Sequence, residues 1–293
     1  MKELAYLNGV FGPISEAKVS IEDRGFQFGD GIYEVVAAYG GRPFLLEQHM
    51  RRLRRSAGAI GLDYDFDAEP IEPIIAEGLL QSGACHKALI YIQITRGVAA
   101  RSHVIPQALS PTVILTFKPM PKVSEDLRCR GARVVTTPEV RWSNCYIKAI
   151  TLLPNVLAKN DATNRGYDDA IFVTRSGEVR ECTSANMFMV QGATVVIPPR
   201  TESILHGVTQ ALLMECAASA GIAFEERVFD VETMLCAEEL FMSSTTVDVL
   251  GITSVDDRPI ADGRVGPTTR RLFDEFQAQT QAFAAGTPQS LVG

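Results

Sequence analysis

Short apolar runs alternate with polar positions over residues 1–45, and they are broken at Asn8-Gly9 and Gly40-Gly41. Both dipeptides supply the positive φ angles that tight hairpin turns require, so this stretch predicts short strands joined by hairpins. The period changes near Leu46, where Leu53, Ala57 and Ile60 recur at helical spacing. A second helix is predicted over roughly 70–82. Two β-rich runs follow, 88–94 and 112–117, flanking a loop over 96–111. Lys118-Pro119-Met120-Pro121-Lys122 predicts a linker, because two prolines so spaced resist both helix and sheet.

The second half repeats the mixture. A strand is predicted at 132–137 and a helix at about 152–165, closed by Gly166 as a C-cap. Strands at 169–174 and 178–190 pair across Arg175-Ser176-Gly177. Further helices are predicted near Gly207-Val208-Thr209, over about 231–238, and from Pro267, a favoured first helical position. At 293 residues the chain exceeds a typical single domain. The fold class read from this pattern is α/β (α+β) in two domains: a smaller one over 1–118, a linker over 119–124, and a larger one over 125–284. The small and polar residues of 285–293 predict a disordered tail.

Composition narrows the partners. A net charge of −7 gives no reason to expect nucleic acid or an anionic membrane, and the basic run Arg51-Arg52-Leu53-Arg54-Arg55 is too short to reverse that. Nothing resembles a signal peptide, and no apolar run approaches the roughly 18 residues of a spanning helix. Six cysteines without C-x-x-C spacing argue against disulfides and zinc, and the four histidines lack metal spacing. A reduced, cytoplasmic enzyme is the simplest expectation.

Several residues bear chemistry, each with a plain alternative. Lys148 lies in the apolar run Tyr146-Ile147-Lys148-Ala149-Ile150; it is either a lysine on an edge strand or a Schiff-base amine. Glu181, ahead of Cys182-Thr183-Ser184-Ala185-Asn186, is either a surface carboxylate beside a turn or the acid that keeps a pyridine nitrogen protonated. In His206-Gly207-Val208-Thr209 a helix start offers free N–H groups, a glycine for close approach and a hydroxyl, the parts of a phosphate cradle. Ser243-Ser244-Thr245-Thr246 could add donors, or be a polar loop after a strand. Arg52 could pair with a phosphate, although the four arginines around it also fit a solvated helix face. Arg101-Ser102-His103, in the loop after the 88–94 run, could trap a carboxylate or be surface.

The ordered set Glu22-Asp23-Arg24-Gly25-Phe26-Gln27-Phe28-Gly29-Asp30-Gly31-Ile32-Tyr33-Glu34-Val35-Val36, Ile94-Thr95-Arg96-Gly97, Val140-Arg141-Trp142, Ile147-Lys148, Leu157-Ala158-Lys159 and Glu239 through Thr246 resembles the fold-type IV pyridoxal-phosphate enzymes. Among them it is most similar to the D-amino acid (D-alanine) transaminases, from about residue 3 to 280. The resemblance implies pyridoxal 5′-phosphate in an interdomain cleft, linked to Lys148, which also serves as the base. It implies Glu181 at the pyridine nitrogen, Tyr33 on the substrate side, and Leu205 against the ring. Arg52, Val208, Thr209, Ser244 and Thr245 would hold the phosphate, and Arg101 and His103 the substrate carboxylate. Amino acid and 2-oxo acid substrates, and a homodimer in which the 96–111 loop reaches the neighbouring subunit, are implied as well. Branched-chain L-transaminases and aminodeoxychorismate lyases share the scaffold but are not expected to carry the Arg101–His103 pair. Two departures from the pattern stand out: Gln210, where some relatives on this scaffold have arginine, and a 181–186 run less serine-rich than the D-alanine type.

Overall fold

The computed structural model describes residues 1–287. Of the tail expected over 285–293, positions 288–293 lie outside the described residues. The chain forms two compact units: residues 1–121 with 147–151 and the described residues from Thr280, and residues 122–146 with 152–279. The chain therefore crosses between units at 146–147 and 151–152 as well as near the predicted linker.

In the first unit, strands β1 (Leu4–Leu7) and β2 (Val10–Gly12) meet across the Asn8-Gly9 turn, both residues at positive φ. A five-residue helix, α1 (Arg24–Phe28), leads into β3 (Gly31–Tyr39), which turns at Gly40-Gly41 into β4 (Arg42–Pro43). Helices α2 (Leu46–Ala59) and α3 (Ile71–Ser82) follow, then β5 (Ala88–Thr95) and β6 (Thr112–Pro119). The six strands form an antiparallel sheet in the order β2-β1-β6-β5-β3-β4. One face carries Ile32, Val36, Ile90, Ile92, Ile94, Leu115 and Phe117, all fully buried, with α2 packing on β3 and α3 on β1 and β6. The other face, with Tyr33, Val35, Tyr91 and Gln93, is only half-buried, the alternation expected of a sheet covered on one side. Lys118 and Pro119, predicted as linker, instead finish β6 opposite Leu89 and Ala88.

The second unit begins with α4 (Glu125–Arg130), capped by the Ser124 hydroxyl, and β7 (Ala132–Pro138). Then come α5 (Leu153–Asn164), β8 (Asp169–Val173), β9 (Val179–Cys182), β10 (Asn186–Gln191) and β11 (Thr194–Ile197). Helix α6 (Val208–Ser219), β12 (Ala223–Glu226), α7 (Val231–Leu235), β13 (Glu239–Ser244), β14 (Asp248–Val255), β15 (Arg258–Pro259) and α8 (Pro267–Ala284) complete it, the last turns of α8 counting with the first unit. Among the described residues nine strands form a mixed sheet, β12-β11-β10-β13-β14-β7-β8-β9, with β15 beside β14. The predicted strand 178–190 is two strands. β9 pairs with β8 at the sheet edge, whereas β10 lies between β11 and β13, and one continuous strand cannot occupy both places. Ala132, Val134, Ile171, Met187, Met189, Leu240 and Ile252 anchor the core of this unit.

Candidate active site

Lys148 does not sit in a strand of its own. The stretch 147–151 is irregular and lies antiparallel along the start of β3: Tyr33 N donates to Lys148 O (2.9 Å), Ile150 N to Gly31 O (3.1 Å), and Ala149 bridges Ile32. Lys148 N reaches the Ser56 hydroxyl of α2 at 3.2 Å. Two glycines admit this approach. Gly29 ends α1 at φ +69°, and a Cβ there would lie 2.6 Å from the Thr151 methyl; a Cβ on Gly31 would lie 3.0 Å from Ile150 Cδ1. The outcome is a half-buried Lys148 whose Nζ stands 3.3 Å from the Tyr33 hydroxyl and 4.3 Å from its ring centroid. Tyr33 in turn stacks on Tyr91, with centroids 5.7 Å apart.

The rest of the Glu22–Glu34 block supports this platform. Asp23 caps α1, Asp30 pairs with both Arg24 and Arg96, and Arg96 also donates to the carbonyls of Ile60 and Gly61. Two residues that sequence reasoning did not single out, Glu34 and His49, hold Arg52. Glu34 is fully buried on the helix-covered face of β3 and accepts from Arg52 Nε (2.6 Å) and Nη2 (2.9 Å), with His49 Nδ1 2.8 Å away. Burial pulls the Glu34 carboxyl up, but the charge and hydrogen bonds of Arg52, with the hydrogen bond from His49, outweigh it and hold Glu34 well below the usual carboxylate range. Burial keeps His49 neutral by lowering its proton affinity. The signal was present as a glutamate at an inward position of a period-2 strand and as His49 and Arg52 at i, i+3 of one helix face.

Arg101 and His103 are exposed, and both rest on Phe28. The Arg101 guanidinium lies 4.9 Å from that ring and the His103 ring 5.6 Å, while Arg24 Nη1 holds the loop through Ser102 O (2.7 Å). The fold thus brings the pair together on one ring. Neither makes a hydrogen bond or ring contact with Tyr33 or Lys148 among the described residues.

In the second unit Glu181 is the penultimate residue of β9, almost wholly buried. Its Oε1 accepts from Arg141 Nη1 (2.6 Å) and Leu205 N (3.3 Å), and its Oε2 from Asn186 Nδ2 (3.2 Å). Arg141 lies over the Phe172 ring at 4.3 Å. Burial lifts the Glu181 carboxyl above its ordinary value against the pull of Arg141. Asn186 Nδ2 also donates to Leu205 O (2.7 Å), so the backbone of Leu205 is clamped at both its N–H and its carbonyl. Two residues on, Gly207 caps α6 without a side-chain hydrogen bond, which leaves the first N–H groups of Val208 and Thr209 uncapped by any side chain. Ser244 and Thr245 lie half-buried at the end of β13, where Ser244 Oγ is 3.3 Å from Thr246 Oγ1.

Two polar atoms around this helix start are buried with no partner: Gln210 Oε1 in its first turn and Ser243 Oγ on the strand position directly opposite Asn186. An uncapped helix start flanked by hydroxyls, the unpartnered Ser243 Oγ among them, suits an anionic group such as a phosphate, whereas Gln210 Oε1 is an acceptor and adds nothing to it. A buried, donor-anchored carboxylate with acceptor capacity left on Oε2 suits a protonated ring nitrogen. The residues present therefore fit pyridoxal phosphate.

Comparison with known proteins agrees with this chemistry. The sequence profile of the family described as Amino-transferase class IV matches residues 31–255. The chain belongs to that family. Within it, this class IV aminotransferase is 37% identical to a D-alanine aminotransferase of Staphylococcus aureus (strain MSSA476) over 276 residues, 94% of this chain and 97% of that protein. A D-alanine aminotransferase of Staphylococcus haemolyticus is 38% identical over 272 residues, 92% of this chain and 95% of the relative. Among solved structures, the branched-chain aminotransferase of Thermoproteus uzoniensis with norvaline superposes with a TM-score of 0.86 at 27% identity, covering 94% of each chain. The Escherichia coli branched-chain amino acid aminotransferase gives 0.89 at 24% identity, covering 100% of this chain and 98% of that one, a likeness of fold alone.

Proposed function

We propose that this aminotransferase uses pyridoxal 5′-phosphate to exchange the amino group of a D-amino acid, such as D-alanine, with a 2-oxo acid such as 2-oxoglutarate. The observation that carries the reading is whole-length likeness at 37% identity to proteins named D-alanine aminotransferases, against 24–27% for the branched-chain neighbours. When bound, the cofactor supplies a carbonyl for covalent linkage to an amine and a ring that accepts electrons. Lys148 would hold it covalently, Glu181 its ring nitrogen and Leu205 its ring face. Arg52, Val208, Thr209, Ser244 and Thr245 would hold its phosphate.

Each residue has a task its surroundings support. Lys148 Nζ takes up and returns the α-proton of the substrate, and the Tyr33 hydroxyl at 3.3 Å orients that amine. Glu181, already fixed by three N–H donors, would hold the ring nitrogen as a carboxylate that needs no reorganisation as charge builds up. Arg101 and His103 grip the α-carboxylate of the substrate. The enzyme works as a homodimer, and its six unpaired cysteines suit the reducing cytoplasm.

The deciding experiment adds D-alanine or L-leucine separately to the yellow holoenzyme and follows loss of its visible absorbance. Bleaching by D-alanine alone is expected. Bleaching by L-leucine alone would move the enzyme to the branched-chain class, a rival that the norvaline-bound neighbour keeps in view. Release of pyruvate from aminodeoxychorismate with no amino acceptor would make it a lyase. Lys148→Ala is expected to retain cofactor without turnover, and full activity in that variant would remove Lys148 from the reaction.

A further inference from the structure

Arg141 is shared between two carboxylates, and the sharing is unequal. Glu139 takes most of it: its Oε1 accepts from Arg141 Nε (3.0 Å) and from the Arg141 backbone N–H (2.9 Å), and its Oε2 from Nη2 (2.6 Å) and Nε (3.2 Å). Only Nη1 is given to Glu181, at 2.6 Å on Oε1. The guanidinium carbon lies over the Phe172 ring, and both Arg141 and Glu181 are about 6% exposed, while Glu139 is more open at 17%. An arginine beside a single buried carboxylate pairs with it through two parallel N–H bonds, the strongest geometry open to it. Glu139 closes the side-on route to that geometry, because it occupies the Nε–Nη2 edge, and Glu181 receives Nη1 alone.

We propose that Glu139 is a positioning residue for Glu181: by holding the Nε–Nη2 edge of Arg141 it keeps the guanidinium from chelating Glu181 side-on and leaves Glu181 Oε2 open for the ring nitrogen of the cofactor. Two further observations point the same way. Glu181 Oε2 receives only the Asn186 amide, at 3.2 Å, and so retains acceptor capacity. Two carboxylates around one guanidinium also keep a net negative charge, and the charge of Glu139 adds to the proton affinity of Glu181. The groups facing this trio are Arg180, whose charge is paired with Glu178 at 2.9 Å, and the Cys145 thiol, which burial pushes up to about 11, so neither brings an unpaired charge at neutral pH. Glu139 is thus placed to favour a protonated ring nitrogen without touching it.

The inference rests on the proposed function, and one experiment separates the two. The holoenzyme and its Glu139→Gln variant are reconstituted with pyridoxal phosphate carrying ¹⁵N in the ring, and the ring-nitrogen resonance is recorded with kcat and KM for D-alanine. The wild type is expected to show a protonated nitrogen. In Glu139→Gln the resonance moves toward the unprotonated position, and kcat falls on the order of tenfold, the change that one unit of basicity carries, with KM little altered. Glutamine keeps the shape and one acceptor oxygen, so a purely packing role would move neither reading. Glu139→Asp, which keeps the charge, is expected to retain the wild-type resonance. An unchanged resonance and kcat in Glu139→Gln, or an equal shift in Glu139→Asp, would overturn the role of Glu139 while leaving the proposed function standing. A wild-type protein that takes up no cofactor would overturn both.

Discussion

Single residues here are read through the charges around them. Glu34, His49 and Arg52 place two full charges and a neutral imidazole inside an otherwise apolar layer, an arrangement that costs stability unless every partner is present. Its pH dependence has a definite sign. His49 has a lowered proton affinity in the folded protein, so below about pH 6.5 the unfolded chain binds a proton that the native state does not, and stability falls as pH drops. Glu34, also lowered, adds a second loss below about pH 4.5, where the unfolded carboxyl protonates first. Urea midpoints are therefore expected to decline on acidification from pH 7, with His49 contributing at most about 1.4 kcal/mol per pH unit. His49→Gln, which still offers Glu34 an N–H, should flatten the curve between about pH 6.5 and 5; equal slopes in the two proteins would show that His49 does not titrate there. This triad was hidden in the sequence because nothing local distinguishes a buried charge from a surface one. Lys148, Tyr33 and Glu181 stand out as candidates only because the whole ordered set of motifs resembles a family, and the irregular stretch along β3 replaces the edge strand that the apolar run around Lys148 suggests.

At the scale of elements, the hairpin turns, α2, α3, β5, β6 and the starts of α6 and α8 followed from local periodicity and turn chemistry. The break between β9 and β10 did not. It is made by Asp169, buried on β8, whose carboxylate takes the Thr183 hydroxyl at 2.5 Å and the Thr183 N–H at 3.3 Å, while Cys182 N closes onto Ala185 O. Those partners lie 14 residues apart, beyond any periodic pattern. Gly207 was read as a glycine that lets a ligand approach, and the structure adds a nearer reason. Its φ of −69° suits any residue, yet a Cβ would lie 2.0 Å from Asn186 Oδ1 and 3.1 Å from Gln210 Cβ. Asn186 cannot yield without releasing Leu205 and Glu181 together. Gly207→Ala is expected to cost about 1–3 kcal/mol of stability through overpacking, and alanine is also the poorer residue at an N-cap. The same change should weaken cofactor retention by roughly tenfold or more, since second contacts of this kind hold the first in place. Equilibrium dialysis of the cofactor checks this, and wild-type retention would mean that the Asn186 clamp is dispensable.

For the whole molecule, the proposed homodimer raises the question of which protomer would supply the proposed carboxylate grip of Arg101 and His103. Residues 21–28 and the 96–111 loop are tied together by the Asp23–Val98 bridge, the bond from Ala99 N to Glu22 O, and Arg24 on Ser102. This joined region leaves large apolar side chains in water: Ile21 is 78% exposed, Val104 76% and Phe26 71%. Apolar area of that kind is worth about 25 cal/mol per Å² once covered, and on a folded protein such a cluster marks a partner surface. A dimer of about twice 31.9 kDa is thus expected by light scattering, and Val104→Glu should shift it toward monomer. Mixing inactive variants then identifies the donor of the loop. In a heterodimer of Lys148→Ala with Arg101→Ala, a loop that serves the neighbouring subunit rebuilds one complete site from an intact lysine and an intact arginine. A loop that serves its own subunit rebuilds none. Random reassociation makes half the dimers mixed, each with one working site, so recovery of about a quarter of wild-type activity is the ceiling for exchange between subunits. Activity no higher than that of the two variants alone would place Arg101 and His103 in the service of their own Lys148.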